Sequence, residues 1–76
     1  MKETLEVILK NLTEFPEQVS INEVSGEKSV VFEVKVAETD MGKVIGREGK
    51  IAAAIRTVMK ALGSKEQKKV SVEFIG

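Results

Sequence analysis

The chain has 76 residues, room for one domain, and a fold this small buries only about 60% of its unfolded surface. Its apolar content of 42% is ordinary for a globular protein and argues against disorder. With no cysteine and no histidine, disulfides and the usual zinc sites are excluded, and the formal net charge is zero.

The first segment, residues 3–12, carries Leu5, Ile8, Leu9 and Leu12 at the i, i+3, i+4, i+7 spacing of an amphipathic helix. Val7 falls off that face. Glu3 and Glu6 sit in the first turns, where negative charge suits the helix dipole. Glu6, Lys10 and Asn11 interrupt the apolar run, so neither a signal peptide nor a membrane span is expected. Phe15-Pro16 closes the segment, because a residue before proline avoids the α region. Residues 18–25 and 29–37 then alternate, the second run with Val30, Phe32, Val34 and Val36 on one face. Around the turn Ser25-Gly26-Glu27-Lys28 they predict an antiparallel hairpin.

Thr39 or Asp40 is expected to cap a short helix over 41–45, which Gly46 ends. A longer helix over 50–62 is predicted from the stripe Ile51, Ile55, Val58 and Leu62 and from three alanines at 52–54. Gly63 stands where a C-terminal cap belongs. Residues 64–67 are polar and predict a loop. Residues 69–74 alternate again, with Val70, Val72 and Phe74 inward, as a third strand. All three phenylalanines, Phe15, Phe32 and Phe74, are expected in the core, which leaves no aromatic platform for stacking bases.

Charge is unevenly spread. Residues 1–38 hold four lysines against eight glutamates, whereas residues 39–76 hold eight lysines and arginines against four acids. The basic half is built around Gly42-Lys43-Val44-Ile45-Gly46-Arg47-Glu48-Gly49-Lys50-Ile51. Two glycines three apart, between two helical segments, predict a sharp turn whose amides lie at the start of a new helix, where anions are favoured.

This run resembles the signature of the KH domain, a single-stranded nucleic-acid binding module. Val44-Ile45 is the apolar pair, Gly46-Arg47-Glu48-Gly49 the glycine loop, and Ile51 the following apolar residue, one place early. The predicted order, helix-strand-strand-helix-helix-strand, is that of the type II KH fold, an α+β fold whose three-stranded sheet has its helices packed on one face. The resemblance covers residues 1–76 as a single KH domain and comes close to small bacterial RNA-binding proteins of the KhpA type, in which an Arg-Thr-Val run, here Arg56-Thr57-Val58, follows on the next helix.

The resemblance implies recognition rather than reaction. A single strand of RNA would be clamped over about four nucleotides, with Lys43, Ile45, Gly46, Arg47, Glu48, Gly49 and Lys50 as the contact residues. Amides around Gly46–Gly49 would meet phosphate oxygens, and the bases would lie between the longer helix and the outer hairpin strand. Plain core packing is the favoured role for Ile45 and Ile51. Glu48 is discordant, since an acid repels phosphate; weak, salt-dependent binding follows. No cofactor, metal or enzymatic activity is expected: Gly42, Gly46 and Gly49 have the wrong spacing for a dinucleotide fingerprint, and Gly49-Lys50 is followed by Ile51, not the Ser or Thr of a phosphate-binding P-loop. The family implies a cytoplasmic protein that forms a homodimer or pairs with a larger KH-containing protein of the Jag/KhpB type. The rival reading is a protein-interaction or dimerisation module with little nucleic-acid binding, using Val7, Val31 and the edge of the last strand.

Overall fold

The computed structural model describes residues 1–75; Gly76, the last residue of the expected domain, lies outside them. Six main elements follow the predicted order: α1 (Lys2–Leu12), β1 (Ser20–Ser25), β2 (Ser29–Lys35), α2 (Met41–Ile45), α3 (Lys50–Lys65) and β3 (Lys69–Phe74). Single 3₁₀ turns lie over Pro16–Gln18, Glu38–Asp40 and Arg47–Gly49.

The sheet runs β1-β2-β3, with β2 central. β1 and β2 form the antiparallel hairpin, with Ile21 opposite Val34 and Glu23 opposite Phe32. β3 is parallel to β2, with Val30 beside Val70 and Phe32 beside Val72. The crossover between these parallel neighbours is the α2–α3 pair, so the glycine turn is part of the connection that closes the sheet. Period-two alternation puts Val30, Phe32, Val34, Val70 and Val72 on one face, where they meet Leu5 and Leu9 of α1, Val44 of α2, and Ile55 and Met59 of α3.

α1 keeps the predicted phase: Leu5 and Leu9 are fully buried and Val7 is 59% exposed. α3 does not. Its buried stripe is Ala52, Ile55, Met59 and Gly63, while Val58 is 43% exposed. The i, i+4, i+7, i+11 spacing alone puts Val58 inward, whereas the sheet facing α3 selects the neighbouring phase. Met59, one residue on, has the longer unbranched side chain and reaches the centre of the core.

Gly63 does not cap α3, which continues to Lys65. A Cβ at Gly63 would strike Val70 Cγ2 and come within 2.8 Å of the Lys68 carbonyl. Its role is close approach, letting β3 turn back tightly against the helix that precedes it. The helix ends two residues later in a Schellman motif. The Lys68 amide donates to the Gly63 carbonyl at 2.8 Å and the Gln67 amide to Ser64 at 3.1 Å, with Gln67 at φ 58°.

Phe32 is wholly buried, Phe74 partly so, and Phe15 is 37% exposed, against the expectation that all three are core. Phe15 lies in the α1–β1 connection, where the backbone rather than the ring makes the principal contact, as shown below.

Truncation tests the phase of α3. Met59→Ala is expected to lower the unfolding free energy by about 2–5 kcal/mol, and Val58→Ala to leave it within about 0.5 kcal/mol, both read from urea denaturation midpoints.

Candidate nucleic-acid interface

The glycine turn is held in place from behind. Asp40, the residue before α2, was expected to cap that helix, but its side chain makes no cap hydrogen bond. It is 1% exposed, and both carboxylate oxygens are occupied by the α1–β1 connection. Oδ1 accepts from the Glu14 amide at 3.0 Å and Oδ2 from the Phe15 amide at 2.9 Å. The approach to Pro16 breaks α1 and leaves these amides without helical partners; a carboxylate from across the fold takes both.

Burial pushes the Asp40 pKa up, but the two amide donors and the neighbouring Lys43 outweigh it and hold the group below its ordinary value. Lys43 Nζ lies 3.1 Å from Glu14 Oε2 and 3.6 Å from Asp40 Oδ1. Its pKa is raised, chiefly by the hydrogen bond to Glu14, against the opposing effect of burial. One of the expected phosphate contacts is therefore engaged with acids of the protein itself.

At the turn, α2 ends at Gly46, whose φ of 78° and ψ of 173° are open essentially to glycine alone. Glu48 (φ 56°) and Gly49 (φ 74°) then adopt successive left-handed conformations before α3 begins. The two glycines serve different ends. A Cβ on Gly46 would fall 2.6 Å from Ile51 Cγ1, so this position is closed by the protein's own packing. Nothing lies within 4 Å of a Cβ on Gly49, which faces open space. Of the two glycines of the turn, it is Gly49 whose missing side chain leaves room for another molecule.

The turn spends several of its own donors. The Gly46 amide donates to Gly42 at 2.9 Å, the Gly49 amide to Gly46 at 3.2 Å, and the Lys50 amide to Arg47. The expectation that amides throughout residues 46–49 point outward is corrected for two of them: the Gly46 amide closes the last turn of α2, and the Gly49 amide closes the 3₁₀ turn. The Arg47 and Lys50 side chains are both exposed, with no carboxylate within 4 Å among the described residues, and stand at the positive end of the 16-residue α3. Glu48 is exposed in the same turn and opposes them.

Ile45 and Ile51 are half-buried against the core, consistent with packing as their main role. α3 lies against β3, at the opposite edge of the sheet from β1, so a groove beside α3 is walled by the last strand and not by the outer hairpin strand. Arg56 bridges that wall, with Nε donating to the Val72 carbonyl at 3.1 Å and the guanidinium 5.4 Å from the centre of the Phe74 ring. Sequence reasoning placed Arg56 in a family run but gave it no contact, since helical periodicity shows nothing of the strand beside it.

The family described as KhpA/KhpB, KH domain, matches over residues 2–74. The chain belongs to that family. Its relatives include proteins named RNA-binding protein KhpA from Clostridium perfringens, 59% identical over 99% of this chain and 100% of the relative, and from Chlamydia trachomatis, 44% identical over 99% and 96%. Another so named, from Borreliella burgdorferi, is 41% identical over 96% of this chain and 89% of the relative. The type II KH arrangement expected from the order of elements is the one observed, with a mixed sheet. Among the described residues, no helix is long and apolar enough to cross a membrane.

Two measurements test this account of the KH turn. Gly49→Ala is expected to cost about 1–2 kcal/mol for its left-handed backbone, whereas Gly46→Ala adds about 1–3 kcal/mol of overpacking against Ile51 to a comparable strain. Urea unfolding ranks the two. For Asp40, a depressed folded pKa means a contribution that is complete above the unfolded value and lost as pH falls through the folded one. Asp40→Asn is therefore less stable than the parent at pH 7, and the gap narrows below pH 3.8, the ordinary value for the group. A gap constant from pH 7 to pH 2 would show that the charge is not what holds the α1–β1 connection.

Proposed function

We propose that the protein binds short single-stranded RNA at the Gly46–Gly49 turn, as a cytoplasmic, non-enzymatic RNA chaperone or post-transcriptional regulator whose residues 1–76 act as one KH domain. The observation that carries this reading is the open space over Gly49, flanked by Arg47 and Lys50 at the start of α3. A sugar-phosphate strand can approach the peptide backbone there without meeting a side chain, and two cations without acidic partners within 4 Å among the described residues lie beside it. The relatives that match along nearly the whole chain carry the name RNA-binding protein, which supports the same reading.

Gly46, Ile45 and Lys43 serve the site by shaping it. Gly46 and Ile45 fix the turn on the core, and Lys43 holds α2 to the α1–β1 connection. Glu48 limits affinity, giving micromolar-class binding that weakens steeply with salt. Phosphate contacts set the position of the strand, and base edges beside Arg56, between the first half of α3 and the end of β3, supply any preference.

A homodimer, or a pair with a larger KH-containing protein of the Jag/KhpB type, is compatible with this reading. Exposed Val7, Val24 and Val58 offer apolar surface for such contacts. The edge of β3 is less suited to it, because Arg56 already occupies the outward Val72 carbonyl.

Replacing Arg47 and Glu48 together by Asp reverses the charge of the turn without touching the core. The double variant is expected to keep its circular dichroism and melting profile and to lose at least about tenfold in affinity for single-stranded RNA at low salt, the consequence of removing a phosphate-facing cation and adding a repelling acid. Unchanged affinity in a gel or filter assay would favour the interaction-module reading.

A further inference from the structure

The α2–α3 turn is not the only basic surface. At the far end of α3, three separate elements bring Lys60, Lys68, Lys69 and Lys28 around two adjoining shallow grooves, together with Ser64 and Gln67. Backbone bonds fix the arrangement. The Lys69 amide donates to the Lys28 carbonyl at 2.9 Å, tying β3 to the hairpin turn, and the Lys68 amide donates to Gly63 in the Schellman motif. Gly63 itself lets β3 come close enough to α3 for Lys60 and Lys69 to border one groove.

None of these four ammonium groups has a carboxylate within 4 Å among the described residues. The acids nearest in sequence, Glu27 and Glu66, are exposed and pair with none of them. Between this ledge and the glycine turn, α3 carries Lys50, Arg56, Lys60 and Lys65 and no acid at all. Along its exposed side only the small Ala53 and Thr57 lie between Lys50 and Lys60, at the i, i+3, i+7, i+10 positions of one face. Like charges gathered without acidic partners raise the energy of the free fold and are relieved by a polyanion.

We propose that this lysine ledge is a second phosphate-contact surface, onto which a single RNA strand held at the Gly46–Gly49 turn continues. The inference rests on the RNA-binding reading above and extends it. From Lys50 the ledge begins about 15 Å along α3, at Lys60, and extends to the helix end at about 24 Å, at 1.5 Å per residue, which is more than four and up to roughly seven nucleotides at the ~3.4 Å spacing of a stacked strand. A ligand that fills only the clamp of about four nucleotides cannot reach the ledge; a longer one can. Short and long RNAs should therefore respond differently to the same substitutions.

The test is fluorescence anisotropy with two unstructured single-stranded RNAs, one of about four nucleotides that only fills the clamp and one of about 20 that extends past it. K60Q/K68Q/K69Q is compared with the parent and with the charge-matched control K2Q/K10Q/K35Q. The ledge variant is expected to bind the long RNA at least about fivefold more weakly, and its plot of log affinity against log salt to be shallower by about 0.7 for each phosphate contact removed. Its affinity for the short RNA stays at the parental value, because even Lys60, the nearest of the three, lies about 15 Å along α3 from Lys50, beyond the ~10 Å screening length at 0.1 M salt. The control leaves both unchanged. Should the triple variant fail to fold, K60Q/K69Q, which alters only exposed positions, makes the same comparison.

Equal long-RNA affinity and salt slope in parent and ledge variant would overturn the proposal, as would an equal loss in the control. A ledge that leaves RNA binding untouched would instead fit an acidic protein partner. Failure of the parent to bind either RNA would overturn the RNA reading itself, and this extension with it. Loss of both RNAs in the Arg47 and Glu48 double variant, beside loss of the long one alone in the ledge variant, separates the two sites.

Discussion

The fold depends on one buried carboxylate. Asp40 stands between the sheet and α2, and its two oxygens take the two amides that α1 leaves unpaired where the chain runs into Phe15-Pro16. A buried charge is costly unless its acceptors are filled, and here the filling groups belong to a distant stretch of chain. The bond pair joins the first helix to the entrance of the second, and the second is only five residues long. Such a helix has little stability of its own. Its direction, and hence that of the glycine turn at its end, is set by Val44 in the core, Asp40 at its start and Lys43 bonded to Glu14.

From there the logic runs outward. Gly46 closes on Ile51, so the turn sits firmly on the core; Gly49, three residues later, is left with nothing above it. The same spacing thus supplies an anchor and an opening. The cations follow a similar division. Lys43 is drawn into the framework, whereas Arg47 and Lys50 stay in solvent beside the opening. Glu48, left-handed and acidic, runs against both backbone preference and phosphate chemistry.

The order of elements was legible in the sequence because each has a strong local signature: period two in β2 and β3, the Leu5–Leu12 spacing in α1, and the paired glycines between α2 and α3. The parts that were not legible depend on contacts across the fold. Asp40 has the composition of a cap, and nothing in its neighbourhood shows that Glu14 and Phe15 will reach it from 26 and 25 residues away. Gly63 has the look of a helix end, yet the constraint on it comes from Val70. Val58 and Met59 differ by one step of 100° on the helix, a choice that only the facing sheet decides. The candidate interface divides in the same way: its glycines and charges were visible as letters, while which amides are occupied and which lysine is paired follow from packing.

The bond from Arg56 to the outward Val72 carbonyl has a consequence for how the sheet meets other chains. An edge strand offers a ladder of unpaired peptide groups on which a passing strand can zip, and small proteins made in quantity are exposed to that hazard. On β3 one rung is already taken and the guanidinium lies over the Phe74 ring, so an incoming strand would have to displace a charged side chain before it could register. The sheet is in effect finished on that side, and strand addition is left to the outer margin of β1.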